Sequence, residues 1–450
     1  MEKFENPLQV LVVGAGAGGI CAAIQAARLG ARVLLVEKDK EIGGTGVHSP
    51  VGLVCKFQRR DTYEPINRGL HKELFTHAYQ WSGEFSESDR LPTYDHNELR
   101  AKYGELTAAE KNLKIVTGVS VESVETQPPL HDVASSGRRR IRAVKLSTGE
   151  RIEALAIVDG TADGNLAAMA GASYHKGRES DGKMQSATLT FGIKRFDTSL
   201  FKNLEINTWG GYWSLNDELS DLYKKAKMAK ETKNPKSQIY AFAYPDGKTL
   251  LFNCNEVGGV DPTNPKSVEA GRAVAETYVK DLIRILKKHP GFARSEVAFI
   301  STKFGVREGR RILGDYILTG KDCIDEARFD DMVAAGAYDI DIHDPDECVD
   351  RMQRIPNTQF YHIPYRCLIS RDHTNLLLGS RCISGDFEAH SSYRVMSCVT
   401  AIGQAAGTAA ALAAFTSDGE VRGVNASWIR YCLDKADQFT QGDLRRPPIP

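Results

Sequence analysis

Four glycines stand between Val13 and Ile20, and their spacing contains GxGxxG as Gly14, Gly16 and Gly19. This is backbone chemistry. The first glycine permits a tight turn, the second lets the main chain approach a pyrophosphate, and the third lets a helix pack closely on a strand. Glu37, closing the next apolar run, is placed to take a ribose hydroxyl. Other residues are suited to proton transfer and anion binding. His48 follows a second glycine pair, while His390 and Arg394 share SGDFEAHSSYRV with Glu388, Ser391 and Tyr393. Each histidine can serve as a general base or as a hydrogen-bonded structural ring. Arg394 can stabilise a developing anion or pair with Glu388 or Asp386. Arg307, Arg310 and Arg311 in GVREGRR can clamp a carboxylate or phosphate, or form a network with Glu308 and Asp315. Tyr365 and Arg366, beside Pro364, are further candidates to line a site.

These groups need elements to hold them. Val10 to Val13 is an aliphatic run typical of a strand buried on both faces, and Ile20 to Leu29 is Ala-rich and helical. Gly30 stops that helix and Arg32 to Val36 resumes a buried strand. Asp95 with Glu98 predicts a capped helix running to about Leu106, followed by the strand LKIVTGVSVESV. Two strands joined at Thr148-Gly149 precede a buried strand ending at Asp159-Gly160-Thr161. TLTFGIKRF and LLFNCNEV read as strands of a second sheet, and EAGRAVAETYVKDLIRILKKH as its amphipathic helix.

The 450 residues carry 58 basic and 58 acidic side chains, a formal net charge of zero, which favours neither a nucleic-acid backbone nor an anionic membrane. The nine cysteines are scattered without a CxxC pair, as in a reducing, cytoplasmic setting, and exclude a local redox disulfide or zinc ribbon. The N-terminal residues lack the pattern of a signal peptide, and the apolar stretch 10–36 is broken by glycines and arginines, so no integral membrane segment is expected. HDPDE at 343–347 reads as a capped turn, and His71 and His77 are six apart, off a common helical face; no metal is assigned.

After the second strand the chain continues KDKEIGGTGVHSPVG. Later come the DGTADGN turn, STKFGVREGRRILGDYILTGKD, and GSRCISGDFEAHSSYRVMSCVTAIGQAAGTAAALA. Taken together, these segments resemble the broad family of FAD-dependent oxidoreductases with a glutathione-reductase-type fold, over about residues 8 to 435. The resemblance implies FAD as cofactor, contacting Gly14, Gly16, Ala17, Gly18, Gly19, Glu37 and Lys38, then Gly43, Gly44 and Thr45. It also implies contacts from Val121, from Gly160 and Asp163, and from Arg381, Gly385, Asp386, Arg394 and Val395. The DGTADGN turn departs from the usual Ala-Thr-Gly, and Asn165 stands where Asp is more usual. The last long helix should start near Arg394 and aim its positive end at the flavin. His390, His48, Arg394, Arg307 and Tyr365 are the catalytic candidates, and Cys55, like His48, could tether the flavin.

The implied architecture is α/β: a discontinuous Rossmann-like FAD-binding domain of 1–57, 94–170 and 355–435, a sheet-based α+β substrate domain or lid of 58–93 and 171–354, and a loose tail from 436 to 450. A second GxGxxG with strand and helix context is lacking, which argues against a two-nucleotide disulfide reductase. The expected activity is hydride transfer between flavin and a small polar metabolite at an alcohol or amine carbon, such as a sugar or polyol. Alternatives are reduction of an activated C=C bond, NAD(P)H-dependent hydroxylation, and a flavin-binding module without turnover.

Overall fold

The computed structural model describes residues 8–59, 61–80, 92–127, 137–202, 204–355 and 360–441. Its centre is a five-stranded parallel sheet in the order Leu376–Leu378, Ala154–Asp159, Leu8–Val13, Val33–Glu37 and Leu113–Thr117. Parallel strands need crossovers that cover both faces, which is why these strands are aliphatic rather than alternating. Helix Ala17–Arg28 follows the first strand directly. It ends where Gly30 takes a left-handed φ of +94°, as the sequence requires.

Helix Met396–Thr416 lies against Ala17–Arg28. It is long and apolar enough to cross a membrane, yet 89% of its apolar window is buried inside the protein. It starts two residues later than expected, because a separate short helix, Phe387–Tyr393, precedes it and Val395 breaks the two with an extended backbone.

The expected long strand after helix His96–Ala108 is two strands. Gly118, at φ +71°, turns the chain, so Leu113–Thr117 joins the parallel sheet while Val121–Gln127 pairs antiparallel with Arg140–Leu146. Asp95 does cap the helix, accepting from the Asn97 N–H at 2.6 Å.

The second sheet is antiparallel, in the order Ala241–Ala243, Thr249–Phe252, Phe191–Lys194 and Glu296–Ile300. Helices Trp209–Met228 and Pro265–Leu286 close its core. Alternation sorts its faces: Ala241, Leu250 and Phe252 enter that core, while Phe242 and Leu251 join Tyr212 and Tyr244 on the other side.

Leu70, Leu74 and Phe75, expected in the lid, pack in the parallel-sheet core, as do Ile312, Leu318, Val333 and Ile340. A second core, around the antiparallel sheet, runs from Ala187 to Phe304. Of the expected loose tail, 442–450 lies outside the described residues, as do 60, 81–91 and 356–359 near the expected boundaries. Phe439 is buried against Phe360, so the chain is packed at that point.

Candidate functional site

Three turns converge at the carboxyl ends of the parallel strands, and glycine is what lets them meet. Gly14 has φ +96°, and a methyl there would sit 2.8 Å from the Thr161 backbone nitrogen. A methyl on Gly19 would fall 1.8 Å from the Gly14 carbonyl oxygen, and one on Gly160 would fall 2.6 Å from the Gly19 α-carbon. The second glycine pair faces the first: a methyl on Gly44 would reach within 2.8 Å of the Gly16 α-carbon. A methyl on Gly16 would meet nothing nearer than 4.0 Å, which leaves that side of its backbone approachable. Helix Ala17–Arg28 begins there without a side-chain cap, leaving its first N–H groups for an anion.

Glu37 ends the second strand at 7% exposure. Its carboxylate accepts from the Ala15 N–H at 2.6 Å and the Asp39 N–H at 3.0 Å, and burial raises its pKa. Lys38 beside it is exposed, and Thr45 lies in the short helix Gly44–His48. Asp159 accepts from the Thr161 N–H and hydroxyl at 2.9 and 2.6 Å and from the Ala167 N–H at 2.8 Å, which fixes the Gly160 turn. Asp163 pairs with Arg381 at 3.0 Å, and Arg381 also donates to the Val306 carbonyl at 2.8 Å.

Not every expected contact residue arrives at these turns. Gly118 and Val119, rather than Val121, touch the end of the second strand, donating to the Asp39 and Glu37 carbonyls at 2.7 and 3.0 Å. Asp386 caps helix Phe387–Tyr393, accepting from Ala389 at 2.7 Å and from Gly320 at 2.9 Å, so both oxygens hold backbone. Gly385 gives its carbonyl to Arg311 at 3.0 Å. Gly18 is occupied by packing: a methyl there would lie 2.1 Å from the Gly379 carbonyl oxygen. Tyr365 is spent too, its hydroxyl donating to the Val421 carbonyl at 2.8 Å. Together with Arg366 it lines an open cleft of about 670 Å³ that none of the glycine turns enters.

The histidines divide. His48 is 8% exposed and sits on the glycine loop, its Nδ1 3.3 Å from the Thr302 hydroxyl and its Nε2 without a protein partner. Burial, with the Lys303 and Arg100 charges, lowers its pKa and keeps it neutral. His390 is fully buried, and neither ring nitrogen has a hydrogen-bond partner. Burial and the Arg311, Arg381 and Arg394 charges push its pKa well down. His390 is therefore a buried, neutral imidazole. Burial also pushes the Cys55 thiol up to about 11, so it carries little thiolate at neutral pH.

The arginine run forms structural and lid contacts. Arg311 is wholly buried, ion-paired with Glu308 and, at 3.0 Å, with Glu179. Arg310 donates to Asn165 at 3.0 Å. Asp315 pairs with Arg422, not with the run. Arg307 faces Glu256 at 3.3 Å and donates to the Ser186 carbonyl at 2.6 Å. Arg394, between the two last helices, points one nitrogen at the Asp341 carbonyl (3.0 Å) and carboxylate (3.3 Å), and its buried Nε has no partner.

Asp341 opens onto a group of charges of which the sequence pointed only to Arg307 and the HDPDE turn. Asp341, His343, Glu256, Asp350, Lys236 and Arg307 lie together, mostly buried. Glu256, His343 and Asp350 present ligand atoms within 4.8 Å of one another, and the Lys236 ammonium supplies the cation between the carboxylates. The alternation in DIDIH put Asp341 and His343 on one face; nothing local said that face would be buried. The neighbouring HDPDE is a turn as expected, Asp344 accepting from Asp346 and Glu347 at 2.9 Å.

The sequence model of the family described as FAD dependent oxidoreductase matches residues 9–433. A flavin-containing monooxygenase of Arabidopsis thaliana, FMO GS-OX2, is 29% identical over 144 residues, 28% of this chain; the match spans 31% of that relative's length. Among solved structures, a geranylgeranyl bacteriochlorophyll reductase-like protein from Thermoplasma acidophilum is 12% identical, covering 96% of this chain and 84% of its own at TM-score 0.41. An L-proline dehydrogenase from P. horikoshii is 12% identical, covering 97% of this chain and 100% of its own at TM-score 0.42.

Proposed function

This chain belongs to the FAD-dependent oxidoreductase family, with FAD as its cofactor, and from that premise we propose that it moves a hydride between the flavin and a carbon of a small polar substrate enclosed beneath the lid. The close-packed glycines, the open side of Gly16 and the uncapped helix start fit the dinucleotide: Gly14, Gly16 and Gly19 would hold its pyrophosphate and Glu37 its ribose. When bound, FAD supplies the two-electron carrier.

The observation that carries the reading is the convergence of lid segment 302–305 on the loop that leaves the second strand. Lys303 ion-pairs with Asp39, the Thr302 hydroxyl reaches His48, and a methyl on Gly305 would lie 2.6 Å from the Ser49 hydroxyl. This contact brings the lid segment against the loop that carries His48. His48, neutral with Nε2 unpartnered, can take the proton that accompanies hydride loss from an alcohol or amine. Arg394 puts a fixed positive charge at the start of the last long helix, where negative charge is stabilised. The charges of Arg394, Arg307 and Asp341 near the start of that helix favour a polar over an apolar substrate. The nine unpaired cysteines support a reducing, cytoplasmic location.

The test is anaerobic. The FAD-loaded protein is mixed with panels of polyols, sugars, hydroxy acids and amines while flavin absorbance is followed. Bleaching by one class is expected. Bleaching only by NADPH, with oxygen consumption raised by a further substrate, would replace the proposal with the monooxygenase reading that the partial relative favours.

A further inference from the structure

His343, Glu256, Asp350 and Lys236 have no part in the hydride-transfer reading, yet through Asp341 they lead to Arg394. His343 Nδ1 lies 2.8 Å from Asp350 and 3.0 Å from Glu256, and Nε2 lies 3.3 Å from Asp341. A neutral imidazole has one N–H and one lone pair, so one edge would set a lone pair against a carboxylate. With carboxylates at both edges, the ring is an imidazolium. Its surroundings are closed by Lys236, 3.0 Å from Glu256 and 2.6 Å from Asp350, and by Arg307, 3.3 Å from Glu256. Asp341 accepts from the Tyr338 hydroxyl at 3.0 Å and, among the described residues, is the only hydrogen-bond partner of the Arg394 side chain.

We propose that His343 is a positioning residue: held between Asp350, Glu256 and Asp341, it fixes the Asp341 carboxylate and through it the Arg394 guanidinium beside the bound flavin. The proposal rests on the flavin reading of the preceding section. His343 touches neither the glycine turns nor His48, so its effect reaches the reacting end through Asp341. Glu256 and Asp341 outweigh burial and the Arg307 charge and hold the imidazolium up to about pH 9. Above that, the Nε2 edge loses its proton, the Asp341 carboxylate loses one of its fixed partners, and the Arg394 guanidinium, still held by the Asp341 carbonyl, loses its fixed orientation.

Two measurements decide it, on wild type, His343→Gln and Asp341→Asn. The first is thermal melting of the apo-protein against pH. Wild type is expected to lose stability between about pH 6.5 and 9, and His343→Gln to lack that loss. Equal pH dependence in the two would overturn the proposal without reference to any cofactor. The second is the midpoint potential of bound FAD, read with redox dyes. His343→Gln is expected to show a lower potential at neutral pH, since a displaced cation no longer favours the reduced flavin; Asp341→Asn also removes a negative charge, so its informative readout is the pH response. Wild type is expected to show an extra fall near pH 9 that both variants lack. Potentials equal to wild type, with FAD bound, would overturn the positioning role and leave a purely structural cluster. If His343→Gln fails to fold, the pH response of Asp341→Asn carries the potential test. Failure of wild type to take up FAD would overturn the flavin reading itself, and with it the placement of Arg394 beside a cofactor.

Discussion

Gly403 rests on the carbonyl of Gly18: a methyl on Gly403 would lie 2.1 Å from that oxygen, and one turn later a methyl on Gly407 would lie 2.1 Å from the Ala22 carbonyl. The helix that starts beside Arg394 is thus laid backbone to backbone on the helix that starts at the glycine turn. Gly403→Ala has to push the two apart. A loss of roughly 1–3 kcal/mol is expected in denaturant melts, with weaker FAD binding because the turn moves with its helix.

Lys303 ties the lid to Asp39. The pair is partly exposed, with Lys303 at 38%, so its share of stability is small, below about 1 kcal/mol. Lys303→Ala is therefore expected to melt like wild type and to keep FAD. Its flavin should be more open to quenching by iodide in solution, because the lid is less firmly held.

Tyr365 was a catalytic candidate by sequence and is a fastener by structure. Tyr365→Phe should turn over like wild type and lose about 1 kcal/mol in melting experiments, the usual worth of one hydrogen bond. A large fall in turnover at unchanged stability would return it to the site.

Asp159 gives a pH dependence opposite to that of most paired carboxylates. Burial raises its pKa from 3.8 to about 6. Its contribution is therefore full below the unfolded value and is lost as pH rises through the folded one, a change of about 3 kcal/mol at most. Asp159→Asn should abolish that slope between about pH 4 and 6 in thermal melts. It should also lower the baseline by about 1–3 kcal/mol, since one amide edge must face an N–H that the carboxylate satisfied.

The glycine turn was readable because its physics is local. Positive φ at Gly14 and close approach at Gly19 and Gly160 are demands on single positions. Strand and helix periods around them were readable for the same reason. Gly118 shows the limit: a propensity run continues through it, while one left-handed residue divides the strand between two sheets. Helix Trp209–Met228 was not anticipated, although Leu215, Leu219 and Ala226 follow its buried stripe. The His343 cluster sets Asp341 from its own strand and Asp350 from the paired strand against Lys236, Glu256 and Arg307 from distant segments, and no local pattern encodes that meeting. His390 illustrates the converse, since its nearness to Arg394 was legible but its complete burial was not.

The most direct test of the account is an absorption spectrum of the purified protein, after incubation with FAD, taken before and after acid precipitation. A flavin spectrum is expected in the native protein. After precipitation, release to the supernatant would identify free FAD, and retention in the pellet would direct attention to His48 and Cys55 as attachment points. No flavin spectrum, with Gly16→Val indistinguishable from wild type in FAD titrations, would contradict the central claim that the converging glycine turns hold this cofactor.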